Sequence, residues 1–114
     1  MKAELKRIHS PDADLEKGPL PSEALFVQLM IGPMDSPGEE SFDLMVSTPE
    51  ARDSVADPSD PQSGRYILVL DRIEPTLIKQ YVDDLLRDID RPTWQELAAE
   101  IGRFAKWEFH DYRP

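Results

Sequence analysis

Up to about residue 71 the apolar residues of this chain alternate with polar ones, and from Ile73 onward they recur every three or four positions. That change of period limits the fold more than any other feature. Alternate side chains of a strand point to opposite faces, whereas one face of a helix is revisited about every 3.6 residues. The first part of the chain therefore reads as strands and the second as helices.

The stretch ALFVQLMIG (24–32) is the best strand, with Leu25, Val27, Leu29 and Ile31 on one side and Phe26 and Met30 on the other. Apolar residues on both sides predict a position in the middle of a sheet. SFDLMVST (41–48) sets Phe42, Leu44 and Val46 against Asp43, Met45 and Ser47, and RYILVLD (65–71) gives a further strand. KAELKRI (2–8) is a weaker first strand. Two acidic, proline-rich loops, 10–23 and 49–64, and a turn at 33–40 join these segments.

Beyond Ile73, the spacing of Ile78, Val82, Leu85 and Ile89 predicts a helix near 75–89, with Pro75 suited to its first turn. Arg91-Pro92 ends it. Thr93 and Glu96 form a capping box for a second helix near 93–105, whose apolar stripe is Trp94, Leu97, Ala98, Ile101 and Phe104. The end of the chain, GRFAKWEFHDY, holds Phe104, Trp107, Phe109 and Tyr112. Trp107 and Phe109 alternate as an inward strand face does, so this tail is expected to pair with a sheet edge and bury both rings. The expectation is an α+β fold in a single domain, 1–114: an antiparallel sheet of about four to five strands with two C-terminal helices packed on one face.

Charge narrows the function. The net charge is -10, with thirteen basic and twenty-three acidic residues. The excess lies in the first half: residues 11–64 carry two basic and twelve acidic residues. Such a field repels nucleic acid and attracts basic partners. No apolar stretch approaches the roughly 20 residues of a membrane span, and the start is not a secretory signal, so a soluble cytoplasmic protein is expected.

Cysteine is absent, which removes disulfides, thiolate zinc sites and cysteine nucleophiles together. The two histidines, His9 and His110, accompany no Gly-x-Ser-x-Gly elbow. DDLLRDID (83–90) gathers four aspartates but lacks the glycine and final glutamate of a calcium loop. Phosphate-binding glycine loops are absent too. The chain is read as having no catalytic residues, no metal and no cofactor. Asp88 and Asp90 would lie at the C-terminal end of the first helix, where acids oppose the helix dipole at a small cost, a hint of use.

Several stretches in order, MKAELKRIHSPD, FVQLMIGPMDSPGEESFDLMVSTPE and RFAKWEFHDY, resemble the immunity protein 8 family of bacterial polymorphic toxin systems. The most specific pieces are Ile31-Gly32-Pro33, the run Glu39 to Asp43, Thr48-Pro49, Trp94, Trp107-Glu108-Phe109 and Asp111-Tyr112. The chain departs from the family pattern at Ser47, Glu50-Ala51 and His110. The resemblance implies a small cytoplasmic antidote that binds and blocks a cognate toxin domain, with no catalysis of its own. The acidic balance fits a basic toxin. An acidic structural or regulatory adaptor for another basic protein is the alternative.

An up-and-down meander would place loops 10–23 and 49–64 at one end of the sheet and return the first helix to that end. The expected partner-binding set is therefore Asp12, Asp14, Glu16, Glu50, Asp53, Asp57, Asp60, Asp88 and Asp90.

Overall fold

The computed structural model of the chain describes residues 1–55 and 66–109. Its strands are β1 (Ala3–His9), β2 (Ala24–Pro33), β3 (Glu40–Ser47), β4 (Ile67–Val69) and β5 (Lys106–Trp107). Its helices are α1 (Arg52–Val55), α2 (Pro75–Arg87) and α3 (Trp94–Ile101). The class is α+β, with a five-stranded mixed sheet. No helix among the described residues is long and apolar enough to cross a membrane.

The period-two reading holds in detail for β2 and β3. Their antiparallel register opposes Leu25 to Val46, Val27 to Leu44 and Leu29 to Phe42. Opposed residues share a face, so six apolar side chains meet there, each 2 % exposed or less. Full burial of one such side chain stabilises by about 1.5–3 kcal/mol. Phe26, Gln28, Met30, Asp43 and Met45 occupy the other face and are half-buried. β2 lies between β1 and β3, the central position its pattern predicts. β1 is an edge strand, and its register with β2 shifts between Leu5 and Arg7. The irregularity falls at Lys6, and the charged Lys6 and Arg7 there discourage that edge from pairing with another chain.

The core stripe of α2 is Ile78, Val82 and Leu86, which join Leu97, Ala98 and Ile101 of α3 in the same cluster as the buried sheet face. The expected stripe used Leu85 instead. Ile78, Val82 and Leu86 are spaced four apart, so choosing Leu86 keeps the contact on one straight row, and Leu85 is left half-buried beside it. Pro75 opens α2 as expected, and Thr93 Oγ1 accepts from the Glu96 N–H at the start of α3.

The sheet is not wholly antiparallel. β4 runs parallel to β3, with Met45, Val46 and Ser47 opposite Ile67, Leu68 and Val69. The physical reason is the length of the connection. An antiparallel neighbour needs only a tight turn, whereas residues 48–66 are long enough to carry the chain back before the next strand begins. That connection includes the single turn of α1, which the sequence reading treated as loop.

Direction decides which residues share an end. At the first end β1 finishes, β2 begins and β3 finishes; there Thr48 donates its N–H to the Glu23 carbonyl at 2.9 Å. Because β4 follows β3, it too finishes at the first end, and α2 starts there. The helix therefore exits at the second end, where Lys2 Nζ donates to the Arg87 carbonyl at 2.7 Å and Arg91 N–H to the Met1 carbonyl at 3.2 Å. The turn at the second end is closely packed against β2. A Cβ on Gly32 would lie 1.8 Å from the Gly38 carbonyl oxygen, so only glycine fits.

The aromatic tail is tied down. β5 pairs antiparallel with β3, setting Trp107 opposite Phe42, and β4 takes the remainder of the same β3 edge. Phe42 stacks on Trp107 with centroids 6.3 Å apart and meets the edge of Trp94 at 6.5 Å. Glu40 accepts from both indoles: Trp94 Nε1 donates to Oε1 at 2.6 Å and Trp107 Nε1 to Oε2 at 2.8 Å. Trp107 packs partly buried against the core, in line with the expectation, whereas Phe109 is 39 % exposed, contrary to it. The strand stops at Trp107 and the chain turns, so the alternation does not carry Phe109 inward. His110 and Tyr112 lie outside the described residues.

Replacing Glu40 with Gln leaves one oxygen to accept and turns an amide donor toward the other indole. Glu40→Gln should cost about 1–3 kcal/mol. Urea denaturation measures this, and a cost under about 0.5 kcal/mol would show that the bridge contributes little.

Candidate functional site

The first end of the sheet gathers the acidic loops. Loop 10–23 is held in place by its own polar groups: Ser10 Oγ donates to the Phe26 carbonyl at 2.7 Å and accepts from the Asp12 N–H at 3.2 Å. Asp14 Oδ1 accepts from the N–H groups of Glu16 and Lys17, at 2.9 and 3.1 Å. An aspartate closing its own turn in this way accounts for Asp14 without a partner. Gly18 has φ of 60°, a left-handed conformation that suits glycine. Ala13, Leu15 and Leu20 pack against the core from this loop. Anchored by these apolar contacts, the loop leaves Asp12 and Glu16 exposed.

Across the same end, Glu50 and Asp53 follow β3. Ala51 N–H donates to the Thr48 carbonyl at 3.2 Å, which starts the turn that becomes α1. Asp53 is fully exposed, with the Arg52 guanidinium 3.8 Å away. The structure thus brings Asp12, Asp14, Glu16, Glu50 and Asp53 to one end, as the sequence reading expected. Asp57 and Asp60 lie outside the described residues.

Asp88 and Asp90 are not there. The parallel direction of β4 sends the exit of α2 to the second end. At that end the Met1 amino group donates to Asp90 Oδ1 at 2.8 Å. This hydrogen bond, reinforced by the amino group's charge, holds the Asp90 carboxyl below the usual carboxylate range. The same reversal of β4 brings two acids to the first end that the sequence reading did not place there, Asp71 and Glu74. Leu70 N–H donates to the Ser47 carbonyl at 2.9 Å, setting Asp71 beside the end of β3. Pro75 and Thr76, just after Glu74, line a cavity of about 270 Å³ with Ile8, Leu15 and Glu16. The signal that would have located them is the sixteen-residue length of segment 49–64, which permits a crossover.

Among the described residues the first end then holds Asp12, Asp14, Glu16, Glu23, Glu50, Asp53, Asp71 and Glu74, opposed by Lys17, Arg52 and Arg72. Arg72 is engaged with Glu74 at 2.8 Å. Like charges held together repel and cost stability, and a cationic surface brought to them relieves that cost. The arrangement is suited to attracting a basic macromolecule. Among the described residues no three histidine or acidic side chains come together as metal ligands.

A family model described as Immunity protein 8 matches residues 3–112. No curated protein and no solved structure matches the chain.

Structural and available acids should separate by measurement. Asp14→Ala should cost about 1 kcal/mol, because two backbone N–H groups lose their acceptor. Asp12→Asn, Glu16→Gln and Asp53→Asn should each stay within about 0.5 kcal/mol of the parent chain in urea denaturation. Asp90 gives a pH test. A carboxyl held low in the folded state adds stability that is fully present above its unfolded value, about 3.9, and is lost as pH falls through the folded value. Asp90→Asn should therefore lower stability at neutral pH, and the difference should vanish in strong acid.

Proposed function

The chain belongs to the immunity protein 8 family, matched over residues 3–112, and from this we propose that it neutralises a cognate toxin domain by binding it. That match, extending over nearly the whole chain, carries the proposal. Neutralisation is by occlusion, so it needs no proton transfer and no catalytic residue. The partner is a protein, met in the cytoplasm of the cell that makes both.

The acidic first end supports a finer reading, that the toxin is basic. Asp12, Asp14, Glu16, Glu50 and Asp53 form the docking end, and Asp57 and Asp60 belong to the same connection in sequence. A nuclease-like toxin holds phosphates with lysine and arginine, and carboxylates set against those residues deny the substrate its place. Charge at the rim of such an interface acts mainly on the rate of encounter.

The test pairs this chain with the toxin domain encoded by the adjoining gene. Co-expression should restore growth of a host killed by the toxin alone. In purified form, inhibition should be complete at one equivalent, and inhibition far below one equivalent would indicate catalysis and defeat the proposal. The triple variant Asp12→Asn, Glu16→Gln, Asp53→Asn should slow association about tenfold at low ionic strength, with the difference shrinking as salt is added. An unchanged association rate would remove the first end from the interface.

A further inference from the structure

Between α2 and the end of α3 runs a groove of about 390 Å³. Its apolar surface comes from Leu85, Ile89 and Phe104, all half-buried, and Tyr81 stands at its side with 37 % of its surface exposed. The core of the protein uses the other row of α2, Ile78, Val82 and Leu86. Tyr81 and Leu85, one turn apart, give α2 a second apolar row, over which no helix is laid among the described residues.

The charges beside this row are arranged at a cost. Asp84 and Asp88 are also one turn apart, and like charges at that spacing repel. Asp88 is the C-cap of α2, where the helix dipole presents its negative pole. The neighbouring acids are compensated: Asp84 pairs with Arg87 at 3.0 Å, and Glu100 is held by Arg91 and Arg103, each at 3.4 Å. Asp88 has no ion pair among the described residues. The same pole already collects two cations of the chain, Lys2 on the Arg87 carbonyl and the Met1 amino group on Asp90. A cation on Asp88 would complete the set.

We infer that this groove receives one lysine or arginine side chain of the toxin, a reading that rests on the proposed function. The aliphatic stem lies on Leu85, Ile89 and Phe104, and the charged head reaches Asp88 and the C-terminal pole of α2. Tyr81 covers the stem from the side, as aromatic residues do at the centre of interfaces. A second copy of this chain is a poor occupant, since each carries a net charge of -10. α2 is about 20 Å long, starts at the acidic first end and lines this groove from Tyr81 onward, so one partner lying along the helix touches both.

Two measurements test the inference. In the first, Nα-acetyl-lysinamide is titrated into the isotopically labelled protein, with Nα-acetyl-norleucinamide as the uncharged control. The amides of Leu85, Asp88, Ile89 and Phe104 should shift with the lysine analogue, and shift less in Asp88→Asn. Equal shifts with the norleucine analogue, shifts scattered over all acidic surfaces, or none at millimolar analogue would overturn the inference. In the second, Asp88→Asn should raise the dissociation constant for the toxin by about tenfold or more, chiefly through faster dissociation. Because the substitution removes a charge the helix dipole disfavours, the variant should be at least as stable as the parent, which excludes unfolding as the cause. Unchanged affinity for a toxin that the parent chain neutralises would overturn the groove alone and leave toxin binding standing. If the parent chain neutralises no toxin, the proposed function falls instead, whatever the groove binds.

Discussion

One carboxylate fastens the second half of this protein to the first. Glu40 begins β3, Trp94 begins α3, and Trp107 lies in β5, far apart in sequence yet joined through the two oxygens of a single side chain. A charged acceptor is suited to this, because both indoles are donors only and a carboxylate offers an oxygen to each. Phe42 fills the space between the rings two residues along the same strand. The terminal strand, only two residues long, could not hold the chain end by ladder bonds alone. Glu108 adds to it, exchanging hydrogen bonds with Ser41: its N–H donates to the Ser41 carbonyl, and its carboxylate accepts from the Ser41 N–H.

Much of this architecture is legible in the sequence because burial imposes a period. Leu25, Val27, Leu29, Ile31 and Phe42, Leu44, Val46 alternate, and the structure buries all of them on one face of the pleat. Thr93 and Pro75 mark helix starts through local chemistry that no tertiary contact overrides. Strand direction leaves no such mark. A three-residue strand such as Ile67–Val69 has the same pattern whichever way it runs, and only the length of the preceding connection hints at the answer. That one ambiguity decides at which end α2 exits, and with it where Asp88 and Asp90 lie. The adjacent leucines 85 and 86 are a similar case, since either fits a helical stripe and packing alone distinguishes them.

The acids themselves sort by what the backbone asks of them. Asp14 is used by its own turn, and Asp90 by the amino group of Met1. Glu40 belongs to the aromatic cluster, and Glu39 pairs with Arg7 at 2.8 Å on the edge strand. Among the described residues, Asp12, Glu16 and Asp53 remain outside such arrangements, apart from the loose approach of Arg52 to Asp53. An acidic composition is therefore a poor guide to an acidic surface until the structural uses of each carboxylate have been subtracted. What remains is concentrated where the loops meet.

The two connections on either side of β3 admit very different amounts of change. The turn before it passes so close to Gly32 that not even a methyl group fits between them. The connection after it has only to return the chain for a parallel strand, and lengthening such a segment is inexpensive, about 0.6 kcal/mol for each doubling. Insertions and deletions can therefore accumulate on one side of β3 and not on the other. The sheet can thus stay constant while the segment after β3 changes in length.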